Sequence, residues 1–249
     1  MKAQNDKDSP ICKTTNRAFI PGESLTYTVF YSVVGAYFNA GTANFSVYLE
    51  NLDHKPVYRV VATGTSNSGY DFIFQVRDRY ESYFDTATLL SMKFIRDISE
   101  GKYKKRENVT FNRTAGTAVT SEGVFKTPEC IHDVVSAMYN VRNIDFAKYK
   151  PGDKIPFQMF MDNQTYNLYI RYLGKETIQT KYGKFNAIKF SPLLLKGSLF
   201  EGGEKMTAWL SDDPNNVLLR VETPISVGSI KVDLVQYRNI RYPLSSRIE

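Results

Sequence analysis

Residues 22–50 read GESLTYTVFYSVVGAYFNAGTANFSVYLE, and the period of their apolar residues decides the fold class. Leu25, Tyr27, Val29, Tyr31 and Val33 alternate with Thr26, Thr28, Phe30, Ser32 and Val34. Further on, Ala43, Phe45, Val47 and Leu49 alternate with Thr42, Asn44, Ser46, Tyr48 and Glu50. Successive side chains of an extended chain point to opposite faces, so a period of two marks strands of an antiparallel sheet with one buried face. The reading joins the two strands by a loop that contains Tyr37 and Phe38. Those rings either pack a core or line a cavity for an apolar ligand.

The pattern continues along the chain. KPVYRVVATG (55–64) reads as a third strand and DFIFQVRDRYESYFD (71–85) as a fourth. Residues 89–112 read as two strands about a turn at Glu100-Gly101, and RTAGTAVTSEGVF (113–125) as a loop ending in a weak strand. After KPGDKIP the strands resume: YNLYIRYLG (166–174), a hairpin turning at Tyr182-Gly183, another turning in Asp212–Asn216, and GSIKVDLVQYRNI (228–240). One segment changes period. In PECIHDVVSAMYNVR (128–142), Ile131, Val134, Val135, Met138 and Val141 form the stripe of an amphipathic helix, with Pro128 near its start and Asn143 as its stop. About a dozen strands around one main helix make an all-β fold, a large curved antiparallel sheet or partial β-barrel. No linker divides it, so residues 16–249 are read as a single β-rich domain and 1–15 as a flexible segment left after a removed leader.

Composition limits the functions. With 42% apolar and 23% charged residues among 249, the chain can bury a large core. Its net charge of +6 falls short of a nucleic-acid footprint, and no run of eighteen apolar residues offers a transmembrane segment. Two cysteines, Cys12 and Cys130, permit one disulfide, and two unrelated buried thiols fit the count as well.

Motifs for chemistry are weak. His132-Asp133 resembles the pair of metal phosphohydrolases, but His54 is the sole further histidine, so no metal site and no cofactor are expected. No Gly-x-Ser-x-Gly elbow supports a Ser-His-Asp triad, and Cys130 and His132 stand two apart at a helix start. DDPNN (212–216) could offer oxygens to calcium and reads better as a hairpin turn. The basic run Lys102, Lys104, Lys105 and Arg106 reads as charge protection on an edge strand, or as a surface for acidic headgroups. Asp85-Thr86-Ala87 resembles a short acceptor motif for O-glycosylation in exported Bacteroidetes proteins.

Several stretches in order resemble one family: residues 18–47, VRDRYESYFD (76–85), EGKY (100–103), residues 128–142, KPGDKIPF (150–157), AWLSDDPNNVLLRVE (208–222) and VGSIKVDL (227–234). It is the exported Bacteroidetes family catalogued as domain of unknown function 3108. The resemblance implies a secreted or periplasmic curved half-barrel with the helix packed near its concave face, and it implies no activity. It also favours pairing of Cys12 with Cys130, a closed loop worth roughly 4–5 kcal/mol in the chain-entropy view. The resulting expectation is a non-enzymatic envelope protein that binds a lipid-like, amphipathic ligand. Tyr27, Tyr31, Tyr37, Phe38 and Phe45 would line the concave face, and Val134, Val135 and Met138 would close it as a lid. The competing readings are a structural or interaction protein of the envelope with a dry core, and a glycan-binding or glycan-processing protein, tested by exposure of Trp209.

Overall fold

The strands read from residues 22–50 form, and they pair directly. The structure, a computed structural model, describes residues 11–12, 14–33, 36–71, 75–195, 202–225 and 228–248. Strand β1 (Ser24–Val33) lies antiparallel to β2 (Ala36–Leu52), so Tyr37 and Phe38 belong to a strand and not to a loop. Then come β3 (Lys55–Ser66), β4 (Arg77–Asp85), β5 (Ser91–Glu100), β6 (Tyr103–Asn112), β7 (Thr117–Thr120) and β8 (Gly123–Lys126). A two-residue strand β9 (Ile131–His132) precedes helix α1 (Val134–Val141). The second half holds β10 (Lys154–Met161), β11 (Gln164–Thr180), β12 (Gly183–Pro192), β13 (Thr207–Ser211), β14 (Leu218–Pro224) and β15 (Ser229–Arg238).

All fifteen strands share one sheet in the order β8-β7-β6-β5-β4-β3-β2-β1-β15-β14-β13-β12-β11-β10-β9. The chain starts in the middle, walks to one edge, crosses through α1 to the other edge and walks back until β15 pairs with β1. The β9–β10 pairing is parallel; the other ladders are antiparallel. The sheet is open and curved rather than closed into a barrel. Its curl still brings the β10–β11 turn against the first half. Asp162 accepts hydrogen bonds from Arg96 and Lys105, Thr120 Oγ1 donates to Asn163 Oδ1 at 2.9 Å, and Phe160 meets Phe111 and Phe125.

Several readings of the sequence are corrected. The fourth strand begins at Arg77, and residues 72–74 of its expected start lie outside the described residues. The weak strand expected at the end of residues 113–125 forms as β8, and Thr117–Thr120 form a further strand, β7, where loop was expected. KIPFQMFM makes β10, unnoticed because its apolar residues do not alternate cleanly. The helix starts at Val134, because Ile131 and His132 pair with Gln158 and Met159 instead. Its phase also differs: Val135, Tyr139 and Val141 are buried, whereas Met138 is 38% exposed. Residues 1–10 and 13 of the N-terminal segment lie outside the described residues, while Ile11 is buried and Cys12 is bonded to Cys130, with Cα atoms 5.2 Å apart.

Helix α1 is short for an autonomous helix, so tertiary contacts must hold it. At its start, the Asp133 carboxylate accepts from the backbone of Val135 and Ser136, both at 2.9 Å, and from Ser82 and Ser91 hydroxyls at 2.6 and 2.7 Å. Ser136 Oγ in turn accepts from Asp133 N at 3.0 Å, which completes a capping box inside the protein. At its end, Arg142 bonds both oxygens of Glu23 at 2.5 and 2.8 Å, with both residues buried. Burial pulls the Arg142 guanidinium down, and the Glu23 carboxylate more than offsets this, so it stays charged. Removing one charge of such a pair leaves the other unpaired in a dry interior. The variant Glu23→Gln is expected to lose about 3–5 kcal/mol, read as a lowered urea midpoint with an unchanged slope.

Candidate functional site

The face that receives α1 is defined by one core, in which Val47, Val60, Phe84, Phe94, Val109 and Phe111 pack with Val135 and Tyr139. Stepping two residues at a time along each strand identifies what that face presents beyond the helix. On β2 it presents Phe45 and Ala43, on β4 Tyr80 and Asp78, on β5 Arg96, Ile98 and Glu100, and on β6 Glu107 and Lys105. Register carries the face onward. Leu25 opposes Phe45 and Tyr27 opposes Ala43, so β1 contributes Leu25, Tyr27, Val29 and Tyr31. Val232 opposes Val29, Ile230 opposes Tyr31, and Val221 opposes Val232.

Burial divides this surface in two. Around α1 the side chains are fully enclosed. Farther along, Val29, Tyr31, Phe45, Tyr80, Val221, Ile230 and Val232 are half-buried. They line an open trough of the curved inner face, where Phe45 and Tyr80 also pack against the core around α1 and Val221 and Val232 against the cores of the second half. Tyr27 sits at its boundary, buried and edge-on to Phe45 at 5.8 Å. Polar groups sit along one side. Arg96 pairs with Glu107 at 2.7 Å, both nearly inaccessible. Burial lifts the Asp78 carboxyl to about 6, against the Ser99 N–H that it accepts and with the help of the neighbouring Glu100. Burial likewise raises the Tyr80 hydroxyl, and Asp78 and Glu100 add to it.

The structure therefore gathers Tyr27, Tyr31, Phe38 and Phe45 on one face, since Phe38 opposes Tyr31. Tyr37 opposes Ser32 and points to the other face, under the Lys231 ammonium at 4.3 Å. Val135 belongs to the core, Val134 flanks it, and Met138 faces away. The helix is tied at both ends and by Asn140 Nδ2, which donates to the Leu89 carbonyl at 2.8 Å. The strand charges were missed by pattern reading. A signal existed: Arg96 occupies the position between Phe94 and Ile98 where a period of two calls for an apolar side chain.

The other candidates resolve into structure. His132 is buried, its Nε2 3.1 Å from the Ile11 carbonyl and its Nδ1 3.4 Å from Ser136 Oγ. Trp209 is 7% exposed and donates Nε1–H to Glu176 at 2.7 Å, so it presents no free platform for a sugar. Lys104, Lys105 and Arg106 of the basic run lie on β6 and Lys102 in the turn before it. Strand β5 pairs with this stretch, but β7 pairs with β6 only at Thr110–Asn112, so among the described residues the basic stretch has a ladder on one side only. Arg106 pairs with Asp97 at 2.9 Å and Lys105 with Asp162, beside a surface cavity of about 420 Å³. In DDPNN, Asp213 Oδ1 accepts from Ser211 and Asn215, while Asn215 Nδ2 donates to the carbonyls of Tyr242 and Pro243. Asp85 Oδ1 accepts from the backbone of Ala87 and Thr88, a turn after β4. No helix among the described residues is long and apolar enough to cross a membrane.

The pattern of the family described as "Protein of unknown function (DUF3108)" matches residues 26–235. Among solved structures, the chain is similar to a β-barrel-like protein of domain of unknown function DUF1849 from Brucella abortus. The two share 9% identity and a TM-score of 0.60, over 90% of this chain and 99% of that one. A candidate lipoprotein from Parabacteroides distasonis aligns at 12% identity and a TM-score of 0.39, over 90% and 99%. The first likeness is one of fold. No curated protein matches the chain.

Burial pushes the His132 imidazole down from 6.5 to about 4, against the Ile11 carbonyl and with the help of Arg113. The unfolded chain takes up a proton near pH 6.5 that the native protein refuses until about pH 4. This contribution to stability is complete above pH 6.5 and disappears as the pH falls towards 4, amounting to about 3 kcal/mol. Asp78, lifted to about 6, acts oppositely, and its contribution is lost as the pH rises through 6. In nitrogen-15 spectra at pH 5 the His132 ring is expected to be neutral. In an Asp78→Asn background, stability is expected to fall steadily from pH 6.5 to pH 4.

Proposed function

The chain belongs to the DUF3108 family, and from that premise we propose that it is an exported, non-enzymatic protein whose trough holds the apolar part of an amphipathic, lipid-like ligand. One observation carries the proposal: the floor of the trough is apolar, continuous with the dry core and only half-covered. The cause is a mismatch of lengths. Helix α1 has 8 residues, about 12 Å, whereas β2 has 17, about 58 Å. A helix so short leaves part of the sheet's inner face without a partner. Half-covered apolar surface with a few polar groups at one side is the usual composition of a small-molecule site.

Export is supported by the disulfide between Cys12 and Cys130, since such bridges persist in oxidising compartments. Binding is favoured over catalysis because Ser82, Ser91, Ser136, His132 and Asp133 are wholly enclosed around the start of α1. A hydroxyl, imidazole and carboxylate cut off from substrate act as scaffolding. Tyr80 and the Asp78–Glu100 pair would meet the polar end of the ligand, with the acyl chain lying along Val29, Tyr31 and Val232.

A fluorescent fatty-acid analogue tests this on disulfide-intact protein. Val232→Arg would put a charge in the apolar floor and is expected to weaken binding at least about tenfold. Val124→Arg, at an exposed site on β8, is expected to leave it unchanged. The proposal fails if the analogue does not bind, or if Val232→Arg binds it as well as the parent does.

A further inference from the structure

The opposite face of the same strands carries a separate cleft. Phe30 opposes Lys231, Lys231 opposes Glu222, and Glu222 opposes Thr207, so these four lie in a row across β1, β15, β14 and β13. Lys231, Glu222 and Thr207 of this row, with Tyr37, Lys205 and Ser229, border a cavity of about 280 Å³. Lys231 is the unusual member. Among the described residues its ammonium is held by rings, 4.3 Å from the centre of Tyr37 and 5.6 Å from Phe30, and by no carboxylate. Its neighbour Glu222 lies instead 3.8 Å from Arg220 Nε. Tyr37 is 58% exposed, so one of its ring faces remains open to a ligand.

We infer that this cleft binds a phosphorylated pyranose. Lys231 borders the cleft, and its ammonium, held against two rings, suits a phosphate through charge-assisted hydrogen bonds. The open Tyr37 ring suits the apolar face of a sugar. Glu222, Thr207 and Ser229 supply oxygens that accept from sugar hydroxyls, and Lys205 also lines the cleft. A carboxylate inside the cleft repels a bare anion, so the ligand must bring hydroxyl donors along with its charge. The cavity lies just under the about 300–1,000 Å³ of typical ligand sites and is sized for one ring, not a chain.

The test is calorimetric titration of the full, disulfide-intact chain with glucose 6-phosphate, glucose and inorganic phosphate. Glucose 6-phosphate is expected to bind, with glucose and inorganic phosphate each at least about tenfold weaker. Lys231→Gln and Tyr37→Ala are each expected to weaken glucose 6-phosphate about tenfold, with thermal melting unchanged because both side chains border open space. Glu222→Gln is expected to move the two ligands oppositely, weakening glucose 6-phosphate and strengthening inorganic phosphate. Binding of inorganic phosphate equal to that of glucose 6-phosphate overturns the inference, as does binding that all three variants leave intact. Tighter binding to phosphatidylglycerol vesicles than to glucose 6-phosphate overturns it in favour of a membrane surface.

Discussion

The buried ion pair between Arg142 and Glu23 is the constraint on which the rest of this structure depends. Arg142 holds both oxygens of Glu23, donates Nε–H to the Asn215 carbonyl at 3.2 Å and lies against the rings of Phe19 and Tyr139. In one contact it fixes the entry to β1, the exit from α1 and the turn between β13 and β14. Those three points belong to both halves of the sheet. An ion pair in a dry interior adds little net stability over a good apolar packing, but any other arrangement strands a charge, so it selects one register of assembly. The disulfide works beside it, joining residue 12 to the segment just before α1.

Once α1 is held at one end, the geometry of the sheet follows. Fifteen strands cannot curl around a helix of 8 residues and be filled along their whole length. The covered part becomes the core; the uncovered part becomes the trough. The seam between β8 and β10 is bridged by side chains and not by a ladder: Asp162 with Arg96 and Lys105, and Asn163 with Thr120 and Glu122. The sheet thus keeps free edges in its hydrogen bonding while its inner face is drawn round. Arg96 and Glu107 are buried as a consequence, because the β10–β11 turn covers them.

The two faces of β1, β2 and β15 present different side chains because strand side chains alternate. A bulge between Val29 and Phe30 in the β1–β2 ladder sets the phase there. It sends Phe38 to the apolar inner face beside Tyr31 and Tyr37 to the outer face beside Lys231. Two neighbouring aromatic residues that look equivalent in sequence therefore lie on opposite faces of the sheet, one beside Tyr31 and one beneath Lys231.

Much of this was legible in the sequence. Period-two alternation located β1, β2 and β3, the turn residues located the Gly101 and Gly183 hairpins, and the change of period located α1, because these signals are local. The all-β class with one inner helix followed from them. What the sequence could not supply was long-range. Arg142 and Glu23 are 119 positions apart, and no local pattern pairs them. The helix phase was misjudged at Met138 because Tyr139 counts as apolar only once Phe19 and Phe84 surround it. A dry core and an open trough need the same apolar face, so alternation alone could not separate Phe84 from Tyr31. The limited length of α1 inside a much longer sheet made that division, and only the tertiary structure contains it.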